Sequence, residues 1–465
     1  MTQPSQLNGR TASSAPKPPA ERSLRRVLGV PGLVVFGLAY MVPLTIFTTY
    51  GLVTTMTEGH LPAAYVVTLA AMIFTALSYA FLVRVIPSAG SAYSFTQRIF
   101  GSHVGFVTGW TLMLDYLLLP LINYLLIGLY LNAQFPAVPM WVFTLSAIAL
   151  VTVLNLVGIS VVKSANLVLV GMQAVFVVVF VILTLSNIST GQSLLAPFFS
   201  ADMQLGLVLS GAAILCLSFL GFDAVSTMSE EAKDPRRTVP RAVLLTTLIG
   251  GSMFILVAWV AHLAFPNWQD FTDPDAAAVQ IMNSLGGNLM AAFFLAAYIA
   301  GSVGSALASQ ASVSRILYAM GRDAVIPRSI FGVLHRRFGT PVGAIVVVSV
   351  VSLLALVLDL ATVASVISFG ALFAFSLVNL GAVKHFILDE RRTQGRDLLK
   401  YGVVPSIGFL LTVWLWFSLS PAAFSVGLVW LLIGVVYLVV LTRGFRRPPP
   451  QVDLDETTVD GAPTA

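Results

Sequence analysis

Long apolar runs separated by short polar segments occupy the chain from about residue 30 to residue 442. A run of about 20 apolar residues is long enough to cross the hydrocarbon core of a bilayer as a helix. The chain is therefore predicted to be an all-α membrane protein with twelve transmembrane helices. The predicted spans, numbered 1 to 12 in chain order, are 30–56, 62–83, 104–131, 138–157, 165–186, 204–229, 243–265, 287–314, 341–358, 361–383, 402–419 and 422–442.

Polar tails flank these spans. Residues 1–28 are rich in Ser, Pro, Ala, Gln and Arg, and they lack the continuous apolar segment of a cleavable signal peptide. Residues 448–465 begin with three prolines and continue with several acids. Both tails are predicted to be disordered. Residues 29–447 are predicted to form one membrane domain, because no loop between spans has a pattern that could bury a core of its own.

Polar and helix-breaking residues interrupt spans 1 and 6. Span 1 contains Pro43 and Gly51, and span 6 contains Ser218, Gly221 and Asp223. Such residues are tolerated at membrane depth where the backbone lines a cavity or is buried in protein. The five-span separation predicts a five-plus-five inverted repeat with discontinuous helices 1 and 6, followed by two C-terminal helices. The alternative is that Pro43 and Gly221 only kink packed helices.

Charge indicates the orientation of the spans. All 25 Lys and Arg residues can be assigned to one side of the membrane, which the positive-inside rule identifies as the cytoplasm. Both termini are then cytoplasmic, in the cell membrane. With 57% hydrophobic and 10% charged residues, the chain needs a lipid bilayer to cover its apolar surface. Nucleic acid is not expected as a partner, because the net charge of +5 is spread over short loops.

The chemistry of the side chains argues against an enzyme. Cys216 is the single cysteine and lies in an apolar span, and the sequence contains neither an HExxH motif nor a Cys/His cluster. We therefore expect no metal site and no cofactor. A channel would need rings of charges or carbonyls, usually assembled by symmetry. A sensor that binds without transporting remains an alternative, and the sequence leaves the oligomeric state open.

Two carboxylates stand out, because of the 20 acidic residues only Asp115 and Asp223 lie well inside spans. A charge at that depth costs about 2.5–3.5 kcal/mol even on the lenient insertion scale. No Lys, Arg or His is predicted at the same depth, so the compensating positive charge is a proton, an ion or the substrate itself. A small amine-bearing cation is therefore the expected ligand.

Four stretches of sequence resemble a known family. They are PSAGSAYSFTQRIFGSHVGFVTGW at 87–110, LDYLLLPLINYLL at 114–126, FLGFDAVSTMSEEAKDPRRTVPRA at 219–242 and ASVSRILYAMGRDAVIP at 311–327. Together they are similar to the amino acid–polyamine–organocation superfamily. The stretch at 114–126 most resembles the bacterial putrescine importers within it. The resemblance covers nearly the whole predicted membrane domain.

The resemblance implies a substrate site at the two helix breaks, with contributions from spans 3 and 8. Tyr93 resembles the aromatic residue that closes the inner gate in family members. The resemblance implies a gating role for Glu230 and Glu231, with a structural role as the alternative. A packing role for the small hydroxyl residues of span 8 is an alternative. The implied substrate-binding residues are Pro43, Leu44, Thr45, Ile46, Asp115, Tyr116, Ser218, Phe219, Gly221, Phe222, Asp223, Ser305 and Ser309.

Departures from the family pattern qualify this expectation. Pro43 stands in the span 1 break where many amino acid transporters carry a glycine-rich segment, so an N–H that could bind a substrate carboxylate is missing. Thr48 stands where putrescine importers tend to carry an acid. Gln173 stands where some proton-coupled relatives carry a lysine, so proton coupling would depend on Asp115 or Asp223.

The expected function is secondary active transport by alternating access. The cargo is putrescine or a related small organic cation, and the resemblance implies symport with a proton. Acidic residues on the predicted outer surface, without accompanying Lys or Arg, would attract a cation. An amino acid permease of the same fold is the alternative.

Overall fold

A computed structural model describes residues 28–87, 91–157, 162–186, 193–322, 325–335 and 339–449. The predicted N-terminal tail, apart from Leu28, and all but the first two residues of the predicted C-terminal tail lie outside these residues. Ten helices in the described part are long and apolar enough to cross a membrane, and two shorter apolar helices, Gly171–Ser186 and Val342–Leu356, bring the number to twelve. The predicted all-helical architecture is confirmed.

Spans 1 to 5 make up the first of the two predicted repeats. Span 1 is divided into Val30–Met41, Thr45–Thr48 and Tyr50–Met56. Span 2 is Leu61–Val85, span 3 is Ser102–Gln134, span 4 is Met140–Val157 and span 5 is Val162–Ser186. A short helix, Ser91–Phe100, connects spans 2 and 3.

Spans 6 to 10 make up the second predicted repeat. Span 6 is divided into Leu205–Leu215 and two stretches of 3₁₀ helix, Cys216–Phe219 and Ala224–Glu230. Span 7 is Pro235–Ala264, span 8 is Ala277–Arg322, span 9 is Val342–Ser352 and span 10 is Leu360–Val383. Span 11, Val404–Phe417, and span 12, Pro421–Leu441, follow.

Two helices begin earlier in the chain than predicted, those of spans 7 and 8. Span 7 begins at Pro235, although the polar sequence PRRTVPRA had been assigned to a loop. Proline at the first helical position has no N–H to leave unpaired, so a helix starts there readily even in polar sequence. Span 8 begins at Ala277 and is interrupted at Gly287, whose φ of 61° a residue with a side chain rarely adopts.

Local chemistry explains the two breaks. Val42 has a φ of 52°, directly after the last helical residue, Met41. Pro43 disfavours helical geometry at the residue before it and cannot donate a backbone hydrogen bond. In span 6 the break in the helix falls at Gly221, whose φ is 130°. The predicted discontinuity of spans 1 and 6 is confirmed.

The two breaks pack against each other. An ideal Cβ placed on Gly221 would lie 2.9 Å from the backbone nitrogen of Met41 and 3.0 Å from Cδ1 of Tyr40. The missing side chain at Gly221 therefore allows the two interrupted backbones to meet. Outside the membrane region, the Leu28 nitrogen donates to the Glu231 carbonyl at 3.0 Å, which joins the segments before span 1 and after span 6.

The two ends of the bundle differ in charge. The Lys and Arg residues that the structure describes lie at, or within about two helical turns of, the end that carries Leu28, which we call the basic end. The opposite end, here the acidic end, carries six acids in its loops and no Lys or Arg in its described segments. These acids are Glu58, Asp202, Asp270, Asp273, Asp275 and Asp359.

Span 12 is fixed to span 3 by two tryptophans. The indole N–H of Trp110 donates to the Trp430 carbonyl, and that of Trp430 donates to the Trp110 carbonyl, both at 2.9 Å. The rings stack with centroids 5.0 Å apart. These reciprocal contacts hold spans 3 and 12 in one register.

Replacement of Gly221 by alanine should destabilise the protein. The new methyl group would contact Met41 N, and the positive φ would be strained, so we expect a loss of about 1–3 kcal/mol. Thermal unfolding in detergent measures the effect. Gly206→Ala is the matched control, because no heavy atom lies within 4 Å of its ideal Cβ position. Equal melting temperatures for the two variants would contradict the packing described.

Candidate functional site

Two adjoining cavities lie beside the span 1 break. The larger has a volume of about 230 Å³ and the smaller about 50 Å³, and they share Tyr40, Val42, Leu119 and Ser305. The larger is also lined by Phe36, Ala39, Gln173, Gly301, Gly304, Ala308, Ser309 and Ser312. The smaller is also lined by Met41, Thr45, Thr48, Ile122, Asn123, Leu126, Leu217, Leu220, Tyr298 and Ser302.

Helical periodicity places the polar side chains that line these cavities on one face of each helix. Span 8 presents side chains three and four residues apart, from Tyr298 through Ser305 to Ser312, and these lie on one face of a helix. Span 3 presents Leu119 and Asn123, four residues apart, in the same way. The hydroxyls and amide group thus line an otherwise apolar space at membrane depth.

Hydrogen bonds orient several of these groups. The Asn123 amide donates to the Ser305 hydroxyl at 3.2 Å and to the Leu119 carbonyl at 2.8 Å. The Thr45 hydroxyl donates to the Met41 carbonyl at 2.8 Å, and the Ser309 hydroxyl donates to the Ser305 carbonyl at 2.7 Å. Since these donors are engaged within the protein, the oxygens of the wall remain as acceptors, which suits a donor-rich ligand.

The backbone N–H groups at the breaks are largely occupied. In span 1, the Thr45 nitrogen donates to the Val42 carbonyl at 2.8 Å and the Phe47 nitrogen to the Leu44 carbonyl at 3.0 Å. In span 6, the Gly221 nitrogen donates to Oδ1 of Asp223 at 3.1 Å. The carboxylate of Asp223 therefore occupies a donor that a ligand carboxylate would need.

Asp115, in span 3, and Asp223, at the span 6 break, lie near enough for the charge of one carboxylate to affect the other. Asp115 lies one helical turn before Leu119 and is 7% exposed, and its buried Oδ1 has no hydrogen-bond partner among the described residues. Asp223 is half-buried. The ion pairs in the described part of the chain involve neither acid. We call these two residues the acid pair.

Three of the predicted substrate-binding residues, Thr45, Ser305 and Ser309, line the cavities. The other predicted residues lie around the cavities without forming their walls. Pro43, Leu44 and Ile46 are buried in the turn and first residues after the span 1 break, and Tyr116 is half-buried beside Asp115.

The predicted residues of span 6 mostly pack against other spans. The Ser218 hydroxyl hydrogen-bonds to that of Tyr65 at 3.2 Å. Phe219 packs against Phe254, with ring centroids 5.7 Å apart. Phe222 is fully buried and contacts Tyr79 and Phe375 at centroid distances of 5.7 and 5.2 Å. Both phenylalanines thus belong to the packed core, and the structure does not place either ring in the described cavities.

Sequence reasoning did not select several residues that line the cavities. Tyr40, Asn123, Tyr298 and Ser302 have no unusual composition around them. Helical spacing from Asp115 could have indicated Asn123, and spacing from Ser305 could have indicated Tyr298 and Ser302. Gln173 had been noted only for its depth, and it packs against Gly301, where an ideal Cβ would lie 2.5 Å from Gln173 Nε2.

The predicted gating residues lie toward the basic end. The ring of Tyr93 packs on Gly109, whose ideal Cβ would lie 3.0 Å from Cδ2 of Tyr93. Glu231 is half-buried, and its carbonyl accepts the hydrogen bond from Leu28. The side chain of Glu230 lies outside the described residues.

An aromatic cluster closes the cavities toward the acidic end. Phe47 lies at its centre, with ring centroids 5.0 Å from Phe180 and 5.5 Å from Phe294. The Tyr130 hydroxyl donates to the Phe47 carbonyl at 2.5 Å, and the Thr48 and Tyr298 hydroxyls are 2.8 Å apart. The larger cavity extends instead along Phe36 and Ser312, toward the basic end. The structure is therefore closed at the acidic end.

The carboxylate of Asp359, at the acidic end, is held by local hydrogen bonds. Burial tends to raise the pKa of Asp359, but hydrogen bonds from the Thr362 hydroxyl and backbone N–H, at 2.7 and 2.8 Å, outweigh it and lower the pKa below the usual value. Asp359 thus stays ionised at this end of the bundle. Among the described residues, no group of three or more His, Cys, Asp or Glu side chains could hold a metal ion.

Comparison with known proteins agrees with this architecture. The family model described as amino acid permease matches residues 32–437, from the first turn of span 1 into the last turns of span 12. The chain belongs to the amino acid permease family.

Relatives of this permease transport different cargoes. The chain is 40% identical over 439 residues to the low-affinity putrescine importer PlaP of Escherichia coli K12, covering 92% of this chain and 96% of the relative. It is 27% identical over 447 residues to the branched-chain amino acid permease BcaP of Bacillus subtilis, covering 91% and 94%. This permease is thus an integral membrane transporter and not an enzyme.

Removal of the Tyr130 hydroxyl should weaken the closure at the acidic end. Tyr130→Phe leaves the buried Phe47 carbonyl without this donor, and we expect a loss of about 1–3 kcal/mol. Thermal unfolding in detergent measures it. Tyr437→Phe is the control, since Tyr437 is half-buried and its hydroxyl has no hydrogen bond among the described contacts. A melting temperature of Tyr130→Phe equal to that of the control would show that this hydrogen bond does not stabilise the closed end.

Proposed function

We propose that this permease imports putrescine or a related small organic cation by alternating access between its two repeats. In this proposal it lies in the cell's inner membrane with both termini in the cytoplasm, so the basic end faces the cytoplasm. The 40% identity to a putrescine importer over nearly the full length of both chains supports this choice of cargo. The structure, closed at the acidic end, then corresponds to an inward-facing state.

The observation that carries the proposal has two parts. The backbone N–H donors at the helix breaks already have acceptors, and neither acid of the acid pair forms an ion pair among the described residues. At the two breaks, the donors of Thr45, Phe47 and Gly221 already have partners within the chain. A free amino acid would need such donors for its carboxylate. A cation needs acceptors, and the wall hydroxyls and the acid pair provide them. A ligand that carries ammonium groups and no carboxylate fits this arrangement.

The membrane itself favours import of a cation. A potential of 100 mV, negative inside, contributes about 2.3 kcal/mol per charge, so a dication could be concentrated about 10³-fold without a coupling ion. The acids of the acidic end would raise the local concentration of cations at the entrance.

Proton symport is part of the proposal. Gln173 cannot carry a proton between the two faces of the membrane, which leaves the acid pair as the titratable carboxylates near the cavities. Uptake into proteoliposomes under a pH gradient, with the potential clamped at zero, tests this coupling. Proton symport would be ruled out if the pH gradient drove no uptake at zero potential and a membrane potential alone drove uptake equally well at every pH gradient.

An amino acid permease is the second candidate. The similarity to branched-chain amino acid permeases at 26–27% identity and the apolar residues among the cavity walls favour it. In that case the cargo carboxylate would have to displace the carboxylate of Asp223 from the Gly221 N–H.

Replacement of Asp115 by asparagine tests the role of the acid pair. The change keeps the size of the side chain and removes the negative charge, so we expect uptake of labelled putrescine to fall at least about tenfold. Asp397→Asn is the control, because Asp397 is an exposed acid at the basic end. Both variants should reach the membrane in equal amount. Full uptake by Asp115→Asn would remove this residue from the site.

Competition by a matched pair of compounds tests the cargo class. Unlabelled putrescine should inhibit uptake of labelled putrescine, whereas 4-aminobutanoate, in which a carboxylate replaces one ammonium end, should inhibit at least about tenfold less. The reason is that the donors at the helix breaks are occupied and the acid pair repels the carboxylate. Leucine is included to test the alternative. Stronger inhibition by leucine than by putrescine would favour the amino acid permease.

A further inference from the structure

A third cavity lies at the basic end, away from the substrate site. It has a volume of about 530 Å³ and forms where the short helix Arg328–Phe331 and the segment that follows it meet the start of span 9. None of its lining residues belongs to the two cavities beside the span 1 break. Its apolar walls are Ile330, Val333, Leu334 and Val342, and Ser329 and His335 contribute polar side chains.

The walls of this cavity are fixed to the neighbouring spans. The Ile330 carbonyl lies against Gly343, in the first turn of span 9, where any Cβ atom would overlap it. Gly321, near the end of span 8, lies against the same short helix. The Thr340 hydroxyl donates to the Leu156 carbonyl of span 4 at 3.0 Å. The cavity is therefore a defined part of the fold, because contacts to three spans hold its walls.

One wall of the cavity continues as a lipid-facing surface of span 9. Val342, Val346 and Val350 are four residues apart and so lie on one face of this helix. Val342 lines the cavity, and Val346 and Val350 are exposed apolar side chains of a membrane span. In a bilayer, acyl chains cover such a face. An acyl chain that lies along these valines therefore reaches the cavity at the end of the helix.

The surroundings of the cavity are basic. Residues 324–358 contain Arg328, His335, Arg336 and Arg337 and no Asp or Glu. Arg328 is exposed, and its stem lies against Gly332, where an ideal Cβ would be 2.6 Å from Cγ of Arg328. The ion pairs among the described residues do not include Arg328. Its guanidinium group is therefore available to an anion beside the segment that lines the cavity.

We propose that this cavity is a binding site for an anionic phospholipid of the leaflet at the basic end. The Arg328 guanidinium group binds the headgroup phosphate, because its planar N–H groups match phosphate oxygens. Gly343 lines the cavity, and its backbone N–H, which has no acceptor among the described hydrogen bonds, offers a further donor. One acyl chain lies along Val342, Val346 and Val350. Basic pockets between spans at the membrane surface suit such headgroups.

The combination of charge and apolar surface favours this ligand over two others. A free anion such as inorganic phosphate would use the basic rim but would leave the apolar walls uncovered. A zwitterionic lipid would cover the apolar walls, but the positive group of its headgroup would add to the positive charge around the cavity. An anionic phospholipid compensates the charge of Arg328 and covers the apolar walls as well.

Lipid titration tests the site directly and requires no transport. The purified full-length protein, in a neutral detergent, is titrated with phosphatidylglycerol or with phosphatidylcholine of the same acyl chains, and native mass spectrometry counts the bound lipid. We expect phosphatidylglycerol to bind at least about tenfold more tightly. Arg328→Gln should reduce this preference about fivefold, which corresponds to the loss of one basic residue near an anionic group.

Arg396→Gln is the matched control. Arg396 is also an exposed arginine of the basic end without an ion pair among the described residues, and it lies outside the cavity. This variant should keep the preference within about twofold of that of the unchanged protein. An equal loss in both variants would show a general attraction of basic residues to anionic lipid, and no loss in either would place the lipid elsewhere. Both results would overturn the proposal.

A filled cavity tests the apolar part of the site. Val333 is 55% exposed, so tryptophan can replace it by extending into the cavity without displacing the core. Val333→Trp should weaken phosphatidylglycerol binding at least about fivefold. Val175→Trp, at a 57% exposed position of span 5, should leave it unchanged.

Thermal unfolding in detergent checks that both tryptophan variants fold. Unchanged affinity in folded Val333→Trp, or displacement of the lipid by inorganic phosphate, would contradict an acyl chain in the cavity. Because the cargo takes no part in these measurements, their outcome is independent of whether putrescine is transported.

Discussion

Hydrocarbon offers no hydrogen bonds, so each interruption of a helix at membrane depth must be satisfied by the protein itself. In this permease the two interruptions lie against each other, with Gly221 on the backbone of Met41. The backbone N–H groups that the breaks leave without helical partners are paired locally, with the Val42 and Leu44 carbonyls and the carboxylate of Asp223. The space that remains between the broken segments and spans 3 and 8 is the cavity region. The site is thus a consequence of how the broken backbones are solvated by protein.

This arrangement gives Asp223 two roles. Its carboxylate accepts a hydrogen bond from the Gly221 N–H, which stabilises the span 6 break. It also lies near enough to Asp115 for the two charges to interact. Asp115 has no comparable local donor for its buried Oδ1. Of the two acids, Asp115 therefore depends more strongly on a proton or a cation from outside the protein to compensate its charge.

The sequence was sufficient for much of the fold. Runs of about 20 apolar residues predicted the spans, and Pro43 and Gly221 marked the breaks, because proline and glycine act through local backbone geometry. The side-chain arrangement of the site was harder to predict. Phe219 and Phe222 lie on either side of the span 6 break, yet their rings turn into the core, whereas Tyr40 and Asn123 face the cavity. Which side of an irregular segment faces a space depends on contacts with distant spans, such as Phe254 and Phe375, and a local pattern does not contain them.

The reciprocal bonds between Trp110 and Trp430 have a consequence for biosynthesis. Span 3 carries Asp115 and enters the membrane early, but the partner of its tryptophan is near the end of the chain. Until the last helix has left the ribosome, the Trp110 carbonyl and indole N–H lack the groups that pair with them in the finished protein. One of the contacts that fix the register of span 3, the helix that carries Asp115, therefore forms only at the close of translation.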